Sequence, residues 1–286
     1  MLFLQLLADG LVSGLAVGLV AISFSLIYST TRVFHVAHAG IYTLGGYIAW
    51  YAEDLGIPFA ISCVLAIAGA AAMGGLIQKY LYEQLERRSA SPLVLLIGSL
   101  GMLAMLQNGV AMMFTSNILS FANAWRLDMV PVGPLHLSVA QVLTALAGIV
   151  VFAGLIWFTR KTSLGRRIRA VSSNPFLAEI TRLRPARVSV QVMMIASGIV
   201  AVSGIFVGLD QAMQPYTGVL ILLTATIAMI AGGIGSLTGA FVISIVLSVL
   251  QNLSLLVMSG RWAIAATFGL FILFILVMPQ GLFRQR

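Results

Sequence analysis

Charge is what this chain has least of. Of its 286 residues, 8 are acidic and 16 basic, far below the roughly one quarter of charged residues in a soluble domain. With 60% hydrophobic residues and a mean hydropathy of +1.06, too little polar surface remains for a water-soluble fold. Intrinsic disorder is excluded on the same grounds. Cysteine occurs once, as Cys63, which rules out an intrachain disulfide. Lysine occurs only at 79 and 161, after Gln78 and Arg160 rather than after a glycine. A phosphate-cradling P-loop is therefore absent, and any nucleotide hydrolysis has to come from another chain.

What is there instead is long apolar runs. Runs of about 20 residues indicate membrane-crossing helices, whereas a barrel shows alternating strands of about 10. The chain reads as an all-α, polytopic membrane protein with a single transmembrane domain over 1–286 and about 8–9 spans. Nine segments can be drawn, at 3–28, 33–52, 57–79, 92–114, 138–158, 188–209, 217–234, 236–258 and 262–279. Met1 to Leu7 has no basic residue, so the first run reads as a retained span rather than a signal peptide.

The net charge of +8 could suggest nucleic acid, but the basic residues cluster at the ends of apolar runs, where they orient a membrane protein. The stretch 160–187 holds Arg160, Lys161, Arg166, Arg167, Arg169, Arg182, Arg184 and Arg187 against one acid, Glu179. It is expected in the cytoplasm. Alternation then puts Arg32, Lys79 to Arg88 and Arg284/Arg286 inside, and Glu53/Asp54, Asp128 and Asp210 outside. The N-terminus falls outside and the C-terminus inside; Arg261 is the exception.

Two stretches are expected to be broken or re-entrant: 33–52, with Gly40, Gly45 and Gly46, and 230–239, with Gly232, Gly233, Gly235 and Gly239. Residues 39–48 and 232–241 align without gaps, sharing Gly40/Gly233, Ile41/Ile234, Leu44/Leu237 and Gly46/Gly239. Paired interrupted helices point to a transport site, although a glycine-rich membrane chain also produces such matches by chance. His35 and His38 share one helical face. They suit a metal or a proton relay, or more plainly hydrogen bonds to backbone and headgroups near a span's end. No metal site is expected, since no Cys, Asp or Glu lies near them in sequence.

Within the basic loop, Asn174-Pro175 reads as an N-cap and first helical residue. Phe176, Ile180 and Leu183 form one apolar stripe, and Pro185 ends the helix. A helix this short has to dock on its own domain, on lipid or on a partner. By charge alone the neighbouring arginines suit lipid headgroups; a structured helix among them favours a protein.

Several of these stretches, in order, resemble the LivH-type permease subunits of branched-chain amino acid ABC importers. Asp9-Gly10-Leu11 through Gly18 to Leu26-Ile27-Tyr28 is similar to that family's opening, and Val36-Ala37-His38 to its Asn-Phe-Ala-His-Gly motif, followed by Tyr42 and Leu44-Gly45-Gly46-Tyr47. Gly165-Arg166-Arg167-Ile168-Arg169-Ala170, Asn174 and Ala178 match the loop that contacts the ATPase. Gly232-Gly233-Ile234-Gly235-Ser236 with Gly239-Ala240 matches the late glycine motif, and Pro279-Gln280-Gly281-Leu282-Phe283 the tail. The chain departs from the family at His35, Val36, Ala39 and Arg182. It also has Thr224 where a lysine is often seen and Gln251 where an acid is usual.

The resemblance implies a translocation path near His35, His38, Gly40, Tyr42, Gly45, Gly46, Gly232, Gly233, Gly235, Ser236 and Gly239. It implies ATPase coupling through Gly165, Arg166, Arg167, Arg169, Ala170, Asn174 and Ala178. The chain itself would bind no cofactor and catalyse nothing; ATP would be used by two cytoplasmic ATP-binding subunits. A second permease subunit, an extracytoplasmic binding protein and the lipid of a bacterial inner membrane complete the expected partners, with no nucleic acid. Alternatives are an ABC permease for urea, amides or a sugar, a self-sufficient secondary transporter or channel, and a membrane enzyme using His35 and His38.

Overall fold

The structure, a computed structural model, describes residues 1–114, 117–133, 135–181, 183–277 and 281–283; the side chains of 124, 132, 270, 271 and 273–277 are not described. Pro134, Arg182, Pro279, Gln280, Arg284 and Arg286 thus lie outside the described residues.

In chain order the helices are α1 (Leu2–Thr31), α2 (His38–Asp54), α3 (Phe59–Ile77), α4 (Glu83–Arg87) and α5 (Pro92–Phe114). A hairpin of β1 (Met129–Val132) and β2 (Leu135–Ser138) follows, then α6 (Val139–Lys161), α7 (Ser163–Ser173), α8 (Pro175–Ile180), α9 (Pro185–Asp210), α10 (Gly218–Gly232), α11 (Leu237–Ser254) and α12 (Gly260–Val277). A π-helical turn, Gln78–Tyr82, joins α3 to α4. Among the described residues, six helices are long and apolar enough to cross a membrane: α1, α3 with its extension, α5, α6, α9 and α11. Among the described residues, the short hairpin, with Met129 opposite Ser138 and Val132 opposite Leu135, and an isolated bridge between Leu119 and Met213 depart from the helical pattern.

α1 and α9 form the centre: 72% and 78% of their most apolar windows are buried, against 22% for α5 and α6. Small residues explain the difference. Gly10, Gly14 and Gly18 recur every fourth residue on α1 and let α11 approach so closely that a Cβ at Gly14 would lie 2.6 Å from the Ile245 Cα. The Ser244 hydroxyl donates to the Gly14 carbonyl at 3.1 Å and the Ser203 hydroxyl of α9 to that of Ala16 at 2.8 Å. Around this pair, α1 packs on α9, α10, α11 and α6, while α9 packs on α1, α2, α3 and α6. The aligned glycine stretches differ in structure, because residues 39–48 lie wholly within α2 whereas 232–241 contain a turn.

α2, which holds the first glycine-rich stretch, and α10, which ends in the second, are both short. α2 has 17 residues and α10 has 15, the latter about 22 Å long against a hydrocarbon core of about 30 Å. In α2, however, the expected break is not at its glycines. Gly40, Gly45 and Gly46 sit inside an unbroken helix, and the chain is irregular upstream, between Arg32 and Ala37. Arg32 there adopts a left-handed φ of 59°. The freed backbone is satisfied by protein, as it has to be at this depth: the Ala37 amide donates to the Ser99 hydroxyl at 3.0 Å.

The loop 160–187 also differs from its sequence reading. It holds two helices, and the expected stripe does not dock as a unit. Phe176 and Ile180 are 71% and 64% exposed, Leu183 is half-buried, and Ala178 is the residue that α8 buries. Pro185 opens α9 at its first turn rather than ending α8, which stops at Ile180.

Candidate functional site

At one end of the bundle, the Thr162 hydroxyl accepts from the Gly165 amide at 3.0 Å and caps α7. α7 then crosses the end of α6: a Cβ at Gly165 would lie 2.4 Å from the Phe158 carbonyl oxygen. Ile168 and Val171 are buried, while Arg166, Arg167, Arg169 and Ala170 are exposed, so the helix is amphipathic. Arg169 reaches back to donate to the Thr159 carbonyl. The Ser172 hydroxyl donates to the Ser29 carbonyl at 2.9 Å, and Arg32 donates to the Ser172 carbonyl at 3.3 Å, tying α7 to the end of α1. Asn174 caps α8 by accepting from the Leu177 amide at 3.1 Å.

The late glycine motif lies at this same end. Gly233 and Gly235 have φ of 97° and 89°, values that side-chain-bearing residues rarely adopt. They form a tight turn between α10 and α11, and the Ser236 hydroxyl caps α11 by accepting from the Gly239 amide at 3.1 Å. The backbones at Gly232 and Gly239 touch, since a Cβ on Gly239 would lie 2.1 Å from the Gly232 oxygen. The described part of the tail is laid over the turn, Leu282 donating to the Ala231 carbonyl at 2.9 Å and Phe283 to that of Gly232 at 3.3 Å. A cleft of about 490 Å³ opens between the turn, the end of α1, α6 and α7, and Gly235, Ser236 and Arg169 line it.

His35 and His38 line neither this cleft nor the cavity at the opposite end. Both are fully buried. Their partners are side chains rather than backbone: His38 Nε2 lies 2.8 Å from the Ser23 hydroxyl and His35 Nδ1 lies 2.7 Å from the Tyr82 hydroxyl, with the rings 5.6 Å apart. The π turn supplies Tyr82, so this network pins the irregular stretch between α1 and α2 to the end of α3. Among the described residues no group of three or more His, Cys, Asp or Glu is placed to hold a metal.

The opposite end is polar in a different way. The Asp9 carboxylate accepts from Gln141 at 3.2 Å and from Gln5 at 3.4 Å, and the Asp210 carboxylate accepts from the Ser138 hydroxyl at 3.1 Å. Beside them lies a cavity of about 230 Å³ between α1, α6, α9, α10, α11 and α12. Ser13, Thr144, Asp210, Gln211, Thr224, Ser248, Gln251 and Asn252 form its polar lining, and Leu220, Ile221, Ile264 and Phe268 an apolar wall. A smaller pocket of about 20 Å³ shares Val207 and Gln211 with it and is lined by Tyr42 and Gly46. Of the residues expected on a path, these two therefore reach an opening at this end, and Gly235 and Ser236 reach one at the other. Gly40 and Gly45 are packed against Leu106 and Ala201. Between the two openings α1 is closed, with every residue from Gly18 to Ser25 buried.

The 230 Å³ cavity could not be found by motif, since its polar residues come from five helices and each is ordinary in its own segment. The signal available was that two departures from the family pattern, Thr224 and Gln251, fall on its wall.

Comparison with known proteins agrees with this architecture. The family described as the permease component of the branched-chain amino acid transport system matches residues 6–278. The high-affinity branched-chain amino acid transport system permease protein LivH of Escherichia coli (strain K12) is 28% identical over 98% of this chain and 95% of its own length. BraD of Pseudomonas aeruginosa is 26% identical over the same shares. A probable LivH of Methanocaldococcus jannaschii is 28% identical over 82% of this chain and 76% of its own length. Among solved structures, PsaBC from Streptococcus pneumoniae in complex with Fab superposes with a TM-score of 0.53, at 16% identity, covering 97% of this chain and 92% of that one. That likeness concerns the fold alone. The chain belongs to the branched-chain amino acid permease family.

Proposed function

We propose that this permease forms the path for branched-chain or other hydrophobic amino acids in an ABC importer of a bacterial inner membrane. Two cytoplasmic ATP-binding subunits drive it, a second permease subunit stands beside it, and an extracytoplasmic protein delivers the substrate. The basic end faces the cytoplasm and the Asp9/Asp210 end faces outward. The single observation carrying this reading is the arrangement of α7 and α8. They present exposed Arg166, Arg167, Phe176 and Ile180 outward, while their other side is tied to the end of α1 beside the glycine turn.

An amino acid carries two charges whose transfer into hydrocarbon is costly. The outer cavity answers both: Asp210 accepts from an ammonium group, Gln211, Gln251 and Asn252 can donate to a carboxylate, and Ile264 and Phe268 take an apolar side chain. With α1 closed from Gly18 to Ser25, substrate can move on only if the helices rearrange, and that rearrangement needs a force that treats the two states differently. α7 and α8 would receive it.

The test is co-purification. In Arg166→Glu/Arg167→Glu, reversing two exposed charges should remove the ATP-binding subunits while the permease still inserts; unchanged co-purification would refute the docking role. A second reading has one observation in its favour. Asp210 is the cavity's sole ionisable residue, with Thr224 and Gln251 neutral, which also suits an uncharged amide or urea. Uptake of labelled leucine against labelled urea separates the two.

A further inference from the structure

The cleft at the basic end gathers cationic side chains from three helices. Arg32, Arg160 and Arg169 converge on it from the end of α1, the last turn of α6, and α7. Among the described residues its lining contains no carboxylate, and the salt bridge formed among them is that of Arg87 with Glu83, outside the cleft. Three guanidinium groups sharing one recess repel one another unless an anion joins them. Arginine's planar fork suits phosphate oxygens in particular. Ser173 and Thr238 add hydroxyls, and the amino end of α11 adds its partial positive charge.

Two further observations specify the anion's source. Leu26, Ile156, Ile168, Ile234 and Leu237 also line the cleft, so the recess pairs cationic with apolar side chains. Trp157, 63% exposed and one turn before Arg160, sits at the end of the peripheral helix α6. An indole in that position marks headgroup depth. A free phosphate needs no apolar lining, and a docking protein would meet Arg166 and Arg167, which are exposed outside the cleft. We infer that this cleft binds the phosphate of an anionic phospholipid in the adjoining leaflet, its glycerol and first methylenes resting on the apolar lining residues. The lipid would join α7 to the turn between α10 and α11. This goes beyond the transport reading and does not depend on it.

The experiment is native mass spectrometry of the purified full-length chain, released from vesicles of phosphatidylethanolamine containing phosphatidylglycerol. Wild type should retain phosphatidylglycerol. Arg160→Gln should reduce retention about fivefold and Arg32→Gln/Arg160→Gln about 25-fold, the factor expected for one and two near-surface arginines. The charge-matched Arg166→Gln/Arg167→Gln should retain it as wild type does. Equal retention in all variants would overturn the proposal, and equal loss in both double variants would show a diffuse surface effect in its place. Displacement by millimolar inorganic phosphate, with no preference for the lipid, would assign the cleft to a free anion. Loss of the ATP-binding subunits from Arg32→Gln/Arg160→Gln with lipid retention intact would make it a protein contact. Should the double variant fold poorly, Arg32→Lys keeps the charge without the fork and is expected to fall between wild type and Arg160→Gln.

Discussion

Two glycine-rich stretches look alike in the sequence and do opposite things in the structure. In α2 the glycines remove bulk. The helix is regular, and Gly45 lies where a Cβ would be 2.6 Å from that of Ala201 on α9. Between α10 and α11 the glycines bend the chain instead, and Gly235 has room for a Cβ, its nearest neighbour being the Ser29 Cβ at 3.8 Å, but holds a φ of 89°. The first stretch serves proximity, whereas in the second Gly233 and Gly235 serve conformation and Gly232 and Gly239 serve close approach. A glycine count cannot separate these, because each is a relation to something else: a partner helix in one case, a backbone angle in the other.

The contrast can be broken experimentally. The largest effect is expected for Gly45→Val, which forces α2 away from α9 and should cost about 3 kcal/mol or more. Thermal unfolding of the detergent-solubilised chain should show a much lower midpoint; a wild-type midpoint would mean the two helices are not in tight contact. Gly235→Ala meets no clash and carries only backbone strain, about 2 kcal/mol. It should leave the complex assembled and slow uptake, and uptake at the normal rate would remove the turn from the mechanism.

Tyr82→Phe sharpens the comparison from a third side, because the irregular stretch that α2's glycines do not create is pinned by the two histidines. Loss of the hydroxyl leaves His35 Nδ1 without its partner at a cost of about 1 kcal/mol. Hydrogen exchange of the 32–37 amides should rise, and protection equal to wild type would deny the pinning role. The smallest effect is expected for Gly101→Ala on α5, where a Cβ meets nothing within 4 Å. The isolated chain should be unchanged or stabilised by about 0.5 kcal/mol, and a marked loss would show that this face is packed.

Much of the fold was legible. The apolar runs place the helices, Asn174-Pro175 marks the start of α8, and the glycines at 232–235 end α10. α7 was within reach as well, since Leu164, Ile168 and Val171 follow a helical spacing after the capping Thr162, but the arginines between them drew the reading toward charge rather than periodicity. The histidines' burial was not legible, because Ser23 and Tyr82 are 15 and 47 residues from their partners. The same holds for the outer cavity, assembled from positions between Val12 and Phe268.

Membrane residence, helical class, the Asn174 cap and an interruption at 230–239 were settled by the sequence alone, because transfer free energy, capping and backbone angle act over a few consecutive residues. Which glycines pack and which bend, where the histidines bury and which polar side chains share an opening were decided only by the tertiary structure. Packing and cavities depend on how closely distant segments approach, and that distance is a property of the assembled bundle.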